Sequence, residues 1–425
     1  MSVSGVQSLE TGTAERHTIH MMLLRLAWRN IWRNRRRSLI IITSIVVGVL
    51  AMSFVEGLSR GFLKQMFDNQ LGAHTSHLQI HRRGFNDNRI VQNFMDEGAR
   101  VSSMLEQNAN VQYFSKRVTA YGIISSASNS SGVYIVGIDP KREAKITTID
   151  ESIAHGQHLS GQRHEVVISK RLAETLGAGL GDRVVAMASS LDGKVGAEVF
   201  RVVGLYQSPS SAFDRLFIYI PAENAQEMLR VGGRIAEIAV VARTLDSVAA
   251  IKADLESKLD ESYEILSYQD LLPSLLAQLE MTEELMWIFY LIVGLAMIFG
   301  IINTMLMSVF ERIREFGVLK AIGMKNGILF CMVLIEAFLL GLVGTLIGFG
   351  GGTLINLHLS ATGLNFAAFS EGLASYGAGA VIYPVVDYAG VATGMVVILS
   401  ICVIAAIYPA LRAVRLQPVN AIRYV

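Results

Sequence analysis

His74, His77 and His81, with a second group at His155, His158 and His164, are the residues of this chain most suggestive of metal chemistry. A metal needs neutral imidazoles plus further ligands, each held by hydrogen-bonding neighbours. The first three share a face only if their segment is helical, and no acidic residue lies among them. Both groups therefore read as ordinary polar residues, and no metal is expected. Ser169–Lys170 sets a nucleophile beside a base, but adjacent residues on a helix do not face each other. Neither C-x-x-C, H-E-x-x-H nor G-x-x-x-x-G-K-[ST] occurs. The chain offers no nucleotide site of its own, is expected to hold no cofactor, and reads as no enzyme.

Charge is informative mainly by where it is missing. Hydrophobic residues make up 52% of the 425 and charged ones 17%, against about 25% charged in soluble domains. This excludes a disordered chain, and a net charge of +1 excludes a nucleic-acid protein with a basic face. The two cysteines, Cys331 and Cys402, lie in apolar runs and make no disulfide framework. The apolar excess sits in four runs, residues 39–55, 285–309, 328–357 and 389–409, with Glu336 as their one charge. About 20 residues span a bilayer, so each reads as a transmembrane helix. A signal-peptide core is the rival reading of the first, but 38 residues precede it, six of them Arg between Arg25 and Arg37.

Lys and Arg in the short flanks give the orientation. Residues 1–38 hold seven: Arg16, Arg25, Arg29, Arg33, Arg35, Arg36 and Arg37. Residues 310–327 hold Arg312, Arg314, Lys320 and Lys325, and the tail, 410–425, holds Arg412, Arg415 and Arg423. The loop 358–388 holds none. Both termini and 310–327 are thus expected in the cytoplasm, with 358–388 and the long segment 56–284 outside. The fold class is a membrane protein of four transmembrane α-helices with a large α+β extracytoplasmic domain between the first and second.

Within 56–284 the period changes. Segments 133–139, 165–168, 183–188, 199–205, 216–220 and 235–241 are short β-branched runs, and 169–176, 222–229 and 245–259 have helical spacing. Residues 190–196 read as a hairpin turn and 125–131 as a polar loop. If 269–309 is one helix, its 41 residues run about 60 Å, twice the hydrocarbon thickness. Spans one and two would then continue outward as stalks, the first through residues 56–69.

Three features within the membrane part stand out. Glu336 marks either an interhelical contact or a transport path. Gly341, Gly344, Gly348 and Gly352 recur at turn spacing, and such stripes let helices approach closely. Residues 311–325, ERIREFGVLKAIGMK, alternate charges with Phe316, Leu319 and Ile322 on one side, as expected of a short amphipathic helix that docks a cytoplasmic partner.

Glu311-Arg312-x-Arg314-Glu315-x-Gly317-x-x-Lys320-Ala321-x-Gly323 resembles the coupling-helix signature of the FtsX/MacB-like ABC transporter permeases. Pro409-Ala410-x-Arg412-Ala413 with Pro418-x-x-Ala421-x-Arg423 resembles the family's tail, and Leu26-Ala27-x-Arg29-Asn30 with Arg35-x-Arg37 its amphipathic start. In size and layout the chain is similar to the lipoprotein-releasing permeases of the LolC/LolE type. The resemblance implies a bacterial inner-membrane subunit that works with a second permease, identical or not, and a cytoplasmic ABC ATPase dimer. ATP and magnesium belong to that ATPase, whose closure moves the coupling helices and, through the stalks, the outer domains. It also implies a lipoprotein or other lipidic substrate taken from the outer leaflet. An apolar cavity would then be lined by Phe54, Leu58, Phe62, Met286, Phe289 and Tyr290. The alternative is a signalling subunit that regulates an outer-face hydrolase and moves no substrate. A periplasmic protein stands as a further partner. The hairpin at 189–197 is short and proline-free, unlike the one by which one subunit type recruits a soluble carrier.

Overall fold

A computed structural model describes residues 25–33, 35–96, 98–210 and 213–415. Arg16 and the tail residues Pro418, Ala421 and Arg423 lie outside the described residues. The chain forms two compact units, residues 1–61, 281–364 and 383–425 in one, and 62–280 with 365–382 in the other.

Among the described residues, four helices are long and apolar enough to cross a membrane. The first, Arg35–Gln70, outruns its apolar stretch because residues 56–69 prolong it. The second is Pro273–Glu311. It starts later than residue 269 because Pro273 suits a first turn, where its missing N–H is not needed. The proline also holds Leu272 out of the helix, at φ −123° and ψ 47°. Residues Tyr268–Leu271 make a separate turn capped by Ser267 and Asp270. The third and fourth helices are Asn326–Thr362 and Tyr388–Val414.

The glycine stripe decides how these helices pack. A Cβ on Gly344, Gly348 or Gly352 would come within 2.7–2.8 Å of Ile45, Val49 and Ser53. One face of the third helix therefore lies directly on the first. Gly341 faces Cys402 of the fourth helix instead. Asn356 extends the seam by donating to the Ser53 carbonyl at 2.8 Å, where Gly57 leaves room for it.

The second unit is a ten-stranded mixed sheet with helices. Its strands are β1 (Leu78–Arg82), β2 (Val111–Ser125), β3 (Ser130–Ile138), β4 (Ile153–Gly156), β5 (Glu165–Ser169), β6 (Arg183–Ser189), β7 (Val195–Tyr206), β8 (Phe217–Pro221), β9 (Glu237–Ala242) and β10 (Tyr263–Ser267). The order is β10-β1-β9-β2-β3-β8-β5-β7-β4, with β6 joining β2 and β7. The six expected strands are present, and β6 and β7 form the expected hairpin. The expected helices form at Lys170–Leu176, Ala222–Leu229 and Val248–Lys258.

Strands β1, β2, β4 and β10 are additional. In β2 the residues Ser115, Arg117 and Thr119 are polar yet buried, which removes the apolar alternation that marks a strand. The first-span helix enters this sheet through a π-turn, Leu71–Thr75, followed by Ser76 at φ 61°. His74 therefore sits in the turn and His81 in β1, so the helical segment on which His74, His77 and His81 would have shared a face is not formed. Arg117 closes this junction. Its Nη1 donates to the His74 carbonyl (2.6 Å) and Glu237 Oε1 (2.8 Å), and its Nη2 to Glu143 Oε1 (2.6 Å).

Candidate functional site

The helix of the second span ends at Glu311, and Arg312 breaks it at φ −104° and ψ 15°. No Pro or Gly causes the break; the arginine turns inward instead. Its Nη1 donates to both oxygens of Glu336, at 2.9 and 3.2 Å, and the guanidinium lies 5.0 Å from the Phe316 ring centroid. Glu336 is thereby an interhelical contact. A nine-residue helix, Ile313–Ala321, follows, and Gly323 at φ 102° turns the chain into the third span.

Ile313, Phe316 and Gly317 are buried. Arg314, Val318, Ala321 and Ile322 recur at i, i+4, i+7 and i+8 and all face out. Ile322 is 81% exposed, so it does not share the buried side of Phe316 and Leu319 as expected. At the helix C-cap it leaves the amphipathic register and joins the outer face.

The charges divide in the same way. Glu315 pairs with Arg33 and, at 3.3 Å, with Arg312; Glu311 pairs with Arg37. Lys320 donates to the Val414 carbonyl at 2.8 Å, beside the end of the fourth span. Of the signature residues, Glu311, Arg312, Glu315 and Lys320 thus bind this chain itself, while Arg314, Ala321 and Gly323 are exposed. Sequence reasoning missed Arg33 and Arg37 as partners because 282 and 274 residues separate them from their carboxylates.

The residues expected to line a cavity are half-buried. Phe54 and Leu58 lie on the first-span helix, and Met286, Phe289 and Tyr290 on the second; Phe62 belongs to the other unit. Tyr290 hydrogen-bonds Glu56. Arg60 links Glu56 (3.3 Å) to Asp387 (3.0 Å) at the same end of the helices. Gly57-Leu58-Ser59-Arg60-Gly61 has the letters of a G-x-S-x-G nucleophile elbow, which requires a strand-to-helix turn. Here it lies inside a continuous helix, with Gly61 against the Tyr383 carbonyl. Its glycines serve packing, not a hydrolase elbow.

Comparison with known proteins matches both halves of this architecture. Residues 38–258 fit the MacB-like periplasmic core domain, and residues 287–418 the FtsX-like permease C-terminal domain. The chain is 22% identical over 402 residues to the lipoprotein-releasing system transmembrane protein LolC of Neisseria meningitidis, covering 91% of this chain and 94% of that one. It is 24% identical over 301 residues to the LolC of Xylella fastidiosa, covering 68% and 72%. The macrolide export ATP-binding/permease protein MacB of Acinetobacter baylyi is 25% identical over 343 residues, 76% of this chain and 50% of that one. The periplasmic region of MacB from Actinobacillus actinomycetemcomitans overlays 49% of this chain with a TM-score of 0.35 and 17% identity. The chain belongs to the FtsX-like ABC transporter permeases that carry a MacB-like periplasmic core domain.

Proposed function

We propose that this chain is the membrane subunit through which a separate cytoplasmic ABC ATPase dimer extracts a lipoprotein or similar amphipathic substrate from the outer leaflet of a bacterial inner membrane. Both termini lie in the cytoplasm, and a second permease subunit completes the transporter. The observation that carries this reading is the Ile313–Ala321 helix. Its buried face and inward charges fasten it to the bundle, while Arg314, Val318, Ala321 and Ile322 remain outside for a partner. A helix fastened in this way moves with the spans that flank it, as mechanotransmission requires. The lipidic class of cargo is supported by the two LolC relatives, of which one aligns over nearly its whole length. Phe54, Leu58, Phe62, Met286, Phe289 and Tyr290 are the residues proposed to line its path.

The test has two parts. Arg314→Glu with Val318→Asp should abolish co-purification of the ATPase, or uncouple its ATP hydrolysis from work, while the chain still inserts and folds. Unchanged co-purification and activity would refute the docking face. In reconstituted vesicles, ATP should then release a lipid-modified protein in the presence of an acceptor. Hydrolysis without release, together with a bound periplasmic protein, would favour the regulatory alternative.

A further inference from the structure

Residues 25–33 are helical, and the two sides of this helix differ in what they touch. Ala27 and Ile31 are buried, Ile31 within the apolar cluster of the membrane unit. On the other side Arg25, Trp28, Arg29 and Trp32 form a stripe at i, i+3, i+4 and i+7. The two indoles are 46% and 45% exposed and meet edge to face, with centroids 5.9 Å apart. Arg35 and Arg36 follow, also exposed, and then Leu39 and Ile40 open the apolar face of the first span. From Arg16 to Val55 the sequence contains no Asp or Glu. Arg33 and Arg37 pair with carboxylates of the 310–327 segment. Arg25, Arg29, Arg35 and Arg36 pair with none among the described residues.

Two indoles displayed beside unpaired guanidinium groups do not stabilise the fold from inside. Indole suits the boundary between water and hydrocarbon, where its ring is buried and its N–H stays wet. Guanidinium matches phosphate with paired, charge-assisted hydrogen bonds. The stripe ends within two turns of the first residue of the apolar run, which sets it at headgroup depth. We propose that Arg25, Trp28, Arg29 and Trp32, continued by Arg35 and Arg36, form a docking surface for the anionic phospholipid headgroups of the leaflet at that end of the first span. Charge complementarity and continuity with the membrane-spanning face support lipid as the occupant. The inference rests on membrane embedding alone and not on the transport reading.

The chain has three tryptophans, so Trp287→Phe leaves only Trp28 and Trp32 to fluoresce. The full-length protein is reconstituted in phosphatidylcholine vesicles containing a minority of phosphatidylglycerol. Brominated acyl chains, which quench indole, are placed on one lipid or the other at equal mole fraction. Quenching by brominated phosphatidylglycerol should be at least about twofold the stronger, because basic residues enrich anionic lipid at the surface. Molar salt should remove the difference. The excess should vanish in R25Q/R29Q/R35Q/R36Q and persist when the same four become Lys. Equal quenching by the two lipids in the parent protein overturns the proposal, even if every variant misfolds. So does an excess that survives the glutamine substitutions. Absence of quenching by either lipid would mean that protein covers the stripe, and it too overturns the proposal.

Discussion

Arg312 and Glu336, 24 residues apart, meet at 2.9 Å with both side chains almost fully buried. The pair joins the start of the Ile313–Ala321 helix to the third span at the point where the second-span helix breaks. It therefore gives one physical reason for the break, for the burial of the arginine, and for the single charge in the four apolar runs.

Glu336→Ala should be strongly destabilising. It leaves a buried guanidinium without its carboxylate, a loss of about 3–5 kcal/mol for pairs of this kind. Replacing both members by apolar residues, Arg312→Met with Glu336→Leu, should cost less than either single change. Denaturation in mixed detergent micelles reads the difference, and simple additivity would show that the pair is not a unit.

Glu315→Ala should behave differently. Its partner Arg33 is half exposed and solvent screens that pair, while its second partner, Arg312 at 3.3 Å, keeps the closer carboxylate of Glu336, so the expected change in stability is within about 1 kcal/mol. The same titration measures it. A loss as large as that of Glu336→Ala would mean that the contacts of Glu315 with Arg33 and Arg312 are desolvated, contrary to the exposure of the carboxylate.

The glycine seam gives a prediction with a built-in rescue. Gly348→Ala places a Cβ against Val49 Cβ and Cγ1 at 2.8–2.9 Å, a clash that costs about 1–3 kcal/mol in a packed interior. Val49→Ala in the same chain should recover part of it, because it vacates the atoms that are struck. Gly350, with nothing within 4 Å of its added Cβ, should accept Ala without loss. Thermal stability of the three variants decides the matter.

The Arg117 cluster should make the second unit acid-sensitive. Burial holds His74 at about 3 and His81 at about 4; Arg117 adds to the lowering at His74, and Glu237 opposes it at both. Burial pushes Glu237 up, but Arg117 and the two imidazoles outweigh it and hold the carboxyl at about 2. All three groups bind a proton more weakly folded than unfolded, so the unfolded chain takes up more protons as acid is added. The histidine contribution is complete above pH 6.5 and is lost on descending towards pH 3. The Glu237 contribution is lost between pH 4.5 and 2. Denaturation followed by circular dichroism should show stability falling below pH 6.5, and His81→Gln should flatten the upper part of the fall. Arg117→Met should destabilise most near neutral pH, because it strands Glu143 and Glu237 as buried carboxylates.

Much of the architecture was legible in the chain, for reasons of scale. Twenty apolar residues in succession have few uses other than spanning a bilayer, and β-branched runs between turn residues marked six strands of the second unit. Strands β1 and β2 escaped because their buried faces carry Gln79, His81, Ser115, Arg117 and Thr119. Such residues look solvent-exposed until the surfaces that cover them are known, and the partners of Arg117 come from β9 and from residues 74 and 143. The segment 311–325 was recognisable as an amphipathic helix. Which of its charges point inward was not, since Glu311 and Glu315 find Arg37 and Arg33 across 274 and 282 residues of sequence.

By itself, then, the sequence determined the four spans, the inserted α+β domain and the short helix between spans two and three, because hydrophobic length and period are local properties. Only the tertiary structure decided that Gly344, Gly348 and Gly352 lie on the first span, that Glu336 belongs to Arg312, and that Ile322 faces outward. Each of these depends on which distant surface arrives opposite a side chain, and close packing and ion pairing act across space without regard to separation along the chain.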